Sequence, residues 1–204
     1  MQYNRSVTVI YHAGSGGEFF SWLMSQNSGF NAMGINLDSD KNKWTLHSQT
    51  TPQHQHLDSG NQFDDYEFHH SHINIMRDHL MAVEDNDIEQ FLEQRYDRWS
   101  ESLLVYLGPI SDESKELTLA LHHKKLSNRI SVNSFDKLYQ TLQRVTGDRK
   151  ILWVDNSVLI CDPPEKLVHV YKTIAQHFSI NSTVFPDTVT RFLEFWRNNN
   201  NIQP

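Results

Sequence analysis

A single stretch near the amino terminus limits the architectures open to this chain more than any other. Val7-Thr8-Val9-Ile10-Tyr11 runs through His12-Ala13-Gly14-Ser15-Gly16-Gly17 into Glu18-Phe19-Phe20-Ser21-Trp22-Leu23-Met24. The first segment is short and rich in β-branched side chains, which predicts a buried strand. In the last segment Phe19, Phe20, Leu23 and Met24 fall on one face of a helix. The glycines between them permit a tight reversal. Strand, glycine turn and helix form the first half of a βαβ unit.

At the carboxyl end of a strand, such a turn exposes backbone N–H groups, and the following helix adds its own unpaired amides and positive dipole end. This makes an anion cradle, with Ser15 or Ser21 able to add a hydroxyl. Glu18 stabilises the helix start but repels an incoming anion unless it points away. The turn is neither GxxxxGK[ST] nor GxGxxG, so the lysine and magnesium-binding hydroxyl of nucleotide hydrolases are absent. The competing reading is structural, with glycine serving close packing.

Downstream, the chain between roughly 31 and 67 turns polar, with short apolar islands at Met33 to Leu37 and Trp44 to Leu46. A wholly irregular loop of that length is unusual, so a small hairpin or partly ordered excursion is expected. Alternation over Tyr66 to Ile75 predicts a second strand. A helix follows over Asp87 to Trp99, then a strand at Leu103 to Leu107 and a helix at Glu113 to Leu126. Another helix begins at Ser134 and stops at Gly147. Ile151 to Val154 reads as the last strong strand, followed by helices over Glu165 to Phe178 and Pro186 to Arg197. Four strands separated by helices imply a three-layer α/β/α fold with a mostly parallel sheet.

The 204 residues suit a single α/β domain over 1–204 with a polar excursion at about 31–67. The net charge of −7 disfavours binding to a nucleic-acid backbone. No apolar run reaches the ~20 residues needed to cross a bilayer, so no membrane partner is expected. The one cysteine, Cys161, forbids an intramolecular disulfide. With no signal-peptide pattern at the start, these features point to a cytoplasmic protein.

The segment Val7 to Phe20 resembles the opening of the sulfotransferase-like branch of P-loop folds. That family has a strand, a K-S-G-T-T loop followed by an aromatic residue, and a helix. Ser15 and Gly16 match its Ser-Gly and Phe19 its aromatic. Gly14 stands where the family has lysine, and Gly17 and Glu18 where it has two hydroxyl residues. Trp153 to Leu167 is similar to the family's final strand, connector and Asp-Pro-Glu helix start. Leu107-Gly108-Pro109 replaces the turn that carries the family's 3'-phosphate arginine, with Ser111 and Ser114 as substitute hydroxyls.

The resemblance implies adenosine 3'-phosphate 5'-phosphosulfate as cofactor, bound by Gly14, Ser15, Gly16, Gly17 and Glu18. It also implies sulfuryl transfer to a hydroxyl or amine of a small-molecule or glycan acceptor. The alternative is a non-catalytic phosphate- or sulfate-binding or assembly protein on a degenerate P-loop fold.

Histidine supplies the candidate general bases, since imidazole titrates near ~6.5. His12 lies at the turn itself. In His69-His70-Ser71-His72, His70 and His72 face one side of a strand. His54 and His56 add possible ligands, but no compact His/Cys or HExxH pattern exists, so no metal is expected. Lys124, Lys125 and Arg129 read as a solvated helix end, and Asp155 as a cap at the end of its strand.

Overall fold

The computed structural model describes residues 6–12, 14–25, 30–32, 73–80, 90, 92–93, 102–123, 132–147, 151–179, 186–199 and 202. Five strands form one sheet: β1 (Ser6–His12), β2 (Phe30–Ala32), β3 (Ile73–Leu80), β4 (Ser102–Gly108) and β5 (Ile151–Asp155). Among the described residues the helices are α1 (Gly17–Ser25), α2 (Asp112–His123), α3 (Val132–Thr146), α4 (Ser157–Ile160), α5 (Pro164–His177) and α6 (Pro186–Asn199), besides the helical Gln90, Leu92 and Glu93.

The strand order is β2-β3-β1-β4-β5. Every pairing is parallel. Central β1 runs beside β3 from Ser6↔Asn74 to His12↔Leu80 and beside β4 from Ser6↔Ser102 to Tyr11↔Leu107.

Alternation along each strand divides the core in two. Val7, Val9 and Tyr11 of β1, with Leu103, Val105 and Leu107 of β4, pack under α1, α4, α5 and α6. Ile10, Leu104 and Tyr106 form the other face, against Leu138 and Leu142 of α3 and the helical Leu92. The result is the expected three-layer α/β/α arrangement around a parallel sheet.

The helices bury the faces their periodicity marks. Phe19, Phe20, Leu23 and Met24 are all buried, as are Val189, Phe192, Leu193 and Trp196. Pro164 opens α5, where a missing N–H leaves no bond unmade. Tyr171 of α5 ties two helices together: its hydroxyl donates to the Phe20 carbonyl at 2.9 Å, and its ring lies 5.0 Å from that of Phe20.

Two expectations require correction. The second long strand is Ile73–Leu80, which runs five residues past the expected end at Ile75, while the 66–72 part of that expectation lies outside the described residues. Its span is fixed by pairing with the whole of β1, and Arg77-Asp78-His79 lacks the apolar signature that interior parallel strands usually carry. The sheet also gains β2, a three-residue strand pairing with β3 where the polar excursion begins. The remainder of that excursion lies outside the described residues. Of the helix expected over 87–99, Gln90, Leu92 and Glu93 are described and helical. No helix among the described residues is long and apolar enough to cross a membrane.

Candidate functional site

From β1 the chain passes to β2 and β3 on one side, whereas β4 lies on the other side and leads outward to β5. The carboxyl ends of β1 and β4 therefore flank the topological switch point, where an open parallel sheet forms its ligand crevice. Two turns lie there. One is the glycine turn after β1, and the other is Gly108 to Ser111 after β4.

In the first turn Gly14 and Gly16 adopt φ of 80° and 78°, the left-handed region that glycine enters without penalty. Gly14 is exposed. Gly16 caps α1, its carbonyl accepting the Phe20 N–H at 2.9 Å. Gly17 and Glu18 open the helix, where the first amides point out of its amino-terminal end. Ser15 is buried at 1% exposure, and its hydroxyl has no hydrogen-bond partner among the described residues.

The glycines also do what the structural reading asked of them. A Cβ on Gly17 would fall inside the Tyr11 ring. One on Gly16 would lie 2.7 Å from Leu159 Cδ1 and 3.1 Å from Trp196 Cζ2. These two residues thus let the turn settle onto the core, while Gly14 and Ser15 form its apex. Ser21 is not available as an anion donor, because its hydroxyl donates to the Gly17 carbonyl at 2.8 Å.

The second turn is built by capping. The Ser111 hydroxyl accepts the Ser114 N–H at 3.2 Å and donates to Ser114 Oγ, which donates in turn to the Ser111 carbonyl. Both hydroxyls expected to replace a phosphate-binding group are therefore committed to the start of α2. Asp155, at the end of β5, accepts the Ser111 N–H at 2.7 Å and the Ser157 N–H at 3.1 Å. It ties the turn to α4, as its capping reading anticipated.

Beneath it, fully buried Asn156 donates its backbone N–H to the Gly108 carbonyl and its Nδ2 to Thr118 Oγ1 at 2.8 Å. The Asn156 Oδ1 and Tyr106 hydroxyl are buried without partners among the described residues. A Cβ on Gly108 would strike that hydroxyl. Burial first, then the nearby Asp155 carboxylate, pushes the Tyr106 phenol well above its ordinary 10.0, so it stays protonated.

The backbone places His12 at the end of β1, directly before the turn. His70 and His72 lie outside the described residues, as do Lys124, Lys125 and Arg129. Sequence reading missed Asn156 and the Arg77-Asp78-His79 run, whose signal was polarity at the carboxyl end of a parallel strand. Cys161 is half-buried, and burial followed by the Glu113 and Asp162 carboxylates raises its thiol, which disfavours the nucleophilic thiolate.

No protein-family model matches the chain, and no curated protein matches it. Its structure is similar to that of a sugar kinase from Janibacter sp. HTCC2649, at 15% sequence identity and a TM-score of 0.41. The similarity covers 91% of this chain and 98% of that one. Likeness at that level assigns no activity. The expected sulfotransferase-like membership, with its sulfuryl-transfer activity and enzyme class, is corrected: no family model and no curated protein supports it. The residue pattern gives the physical reason. Gly14 replaces the loop lysine, and Gly17, in place of a hydroxyl residue, is pressed against Tyr11.

Proposed function

We propose that this chain binds a small phosphorylated molecule in the crevice between the carboxyl ends of β1 and β4, with its phosphate at the turn Gly14 to Glu18. The amides opening α1 and the Ser15 hydroxyl donate to the phosphate oxygens, and Gly14 lets the backbone approach without a side chain intervening. The observation that carries this reading is Ser15: a hydroxyl buried at 1% exposure without a partner, in a turn at the start of a helix. An unpaired buried polar group is costly, and a ligand oxygen at the same place removes that cost.

Calorimetry tests it with inorganic phosphate and with adenosine 3',5'-bisphosphate, which also tests the cofactor expectation. Saturable binding is expected in at least one arm, weakened roughly tenfold or more by Ser15→Ala, as loss of a hydrogen bond to a charged group implies. Absence of binding to either by the folded protein overturns the proposal. Of the candidate histidines, His12 is the one that β1 brings to the turn. His12→Gln is expected to flatten any change in affinity near pH ~6.5.

A further inference from the structure

We infer that Trp196, near the end of the C-terminal helix, is a positioning residue that sets the anion-binding geometry of the glycine turn. This rests on the reading of that turn as a phosphate site. The indole touches α1 at two places. Its ring edge is in line to meet any Cβ on Gly16, at 3.1 and 3.4 Å. Its face stacks on Phe19, with ring centroids 5.2 Å apart and planes 14° from parallel. Gly16 is the cap and Phe19 the third residue of α1. The amides that would hold a phosphate thus belong to the residues spanned by the two contacts.

Trp196 is itself held in place. It is 7% exposed, and the adjacent Arg197 donates from Nε to the Leu159 carbonyl at 2.7 Å and from Nη2 to the Asp162 carbonyl. Leu159 also presses on Gly16, its Cδ1 lying 2.7 Å from where a Cβ would stand. Trp196, Leu159 and Arg197 therefore form one rigid floor, and the tilt of the α1 start follows from it. Hydrogen-bond donors aimed at an anion lose much of their effect when displaced by a fraction of an ångström.

The test is phosphate binding by Trp196→Leu, Trp196→Phe and Val189→Ala in the full-length chain. Val189 is equally buried in the same helix, at 1% exposure, and serves as the control for stability alone. Trp196→Leu is expected to weaken phosphate binding on the order of tenfold. Trp196→Phe, which keeps an aromatic face for Phe19, restores most of that loss, and Val189→Ala lowers the melting temperature without changing affinity. Wild-type affinity in Trp196→Leu, or an equal loss in Val189→Ala, overturns the inference. Failure of the wild-type protein to bind either phosphate or adenosine 3',5'-bisphosphate overturns the site reading instead, and where the bisphosphate alone binds, it is the probe for the three variants. Should Trp196→Leu not fold, Phe19→Leu breaks the same stack from the α1 side: it is expected to weaken binding on the order of tenfold, and wild-type affinity there overturns the inference.

Discussion

Gly14, Gly16 and Gly17 lie within four residues of one another, yet substitution at each meets a different obstacle. At Gly14 a φ of 80° opposes a side chain, so Gly14→Ala is expected to lose about 1 kcal/mol. Gly16→Ala adds a collision with the Leu159 methyl to a φ of 78°, for a loss of about 2 kcal/mol. At Gly17 the obstacle is the Tyr11 ring, which cannot move aside within the core, and Gly17→Ala is expected to lose about 3 kcal/mol. Urea denaturation of the three variants reads this ranking, and equal losses would contradict it.

Tyr106 and Tyr171 allow a second prediction at the same scale. Burial raises both phenols above 10.0. A tyrosine raised in the folded state contributes stability that is complete below its unfolded value and is lost as pH rises past it. Both are therefore expected to ionise only as the protein unfolds in alkali. In an absorbance titration, Tyr106→Phe and Tyr171→Phe should each remove amplitude from the phase that coincides with unfolding.

Among the elements, the junction β5–α4–α5 carries most of the polar order near the site. Asp155 and Asn156 bind back to Ser111, Gly108 and Thr118, and Asp162 closes the far end. Its carboxylate accepts the Ser157 hydroxyl at 2.7 Å and pairs with Lys166 at 2.6 Å. Burial acts to raise the Asp162 carboxyl, but these two hydrogen bonds outweigh it and hold the group below 3.8. A lowered carboxyl contributes stability above its unfolded value that is lost as pH falls through the folded one. Stability of the wild type is thus expected to fall as pH drops below about 4, more steeply than that of Asp162→Asn, measured by denaturation midpoints across that range.

Elements were legible where one local pattern decided them. β1, β4, β5 and the buried faces of α1 and α6 follow from branched apolar runs and helical spacing. β3 did not, because its place depends on pairing with β1, and its charged Arg77-Asp78-His79 obscured the signal. The position of the candidate site was legible in the glycine turn. The division of labour within it was not, since the residues that press on Gly16 come from Leu159 and Trp196, far along the chain. No local spacing reports contacts of that range.

At the scale of the molecule, α6 is the last layer laid on the larger core. Val189, Phe192, Leu193 and Trp196 are between 0% and 7% exposed, packed with residues of α1, α4 and α5. Burying each of these side chains contributes about 2 kcal/mol. Four of them rival the net stability of a typical domain, about 5–15 kcal/mol. The helix also brings Arg197, whose guanidinium satisfies the carbonyls of Leu159 and Asp162 where α4 ends. A chain ending at residue 185 is therefore expected to lose its cooperative thermal transition and its near-ultraviolet circular dichroism. Adding the peptide 186–204 should restore both, because the missing contacts lie on one helix face and need no covalent link. An unchanged melting transition in the shortened chain would show that the core closes without α6 and that the floor of the glycine turn is set elsewhere.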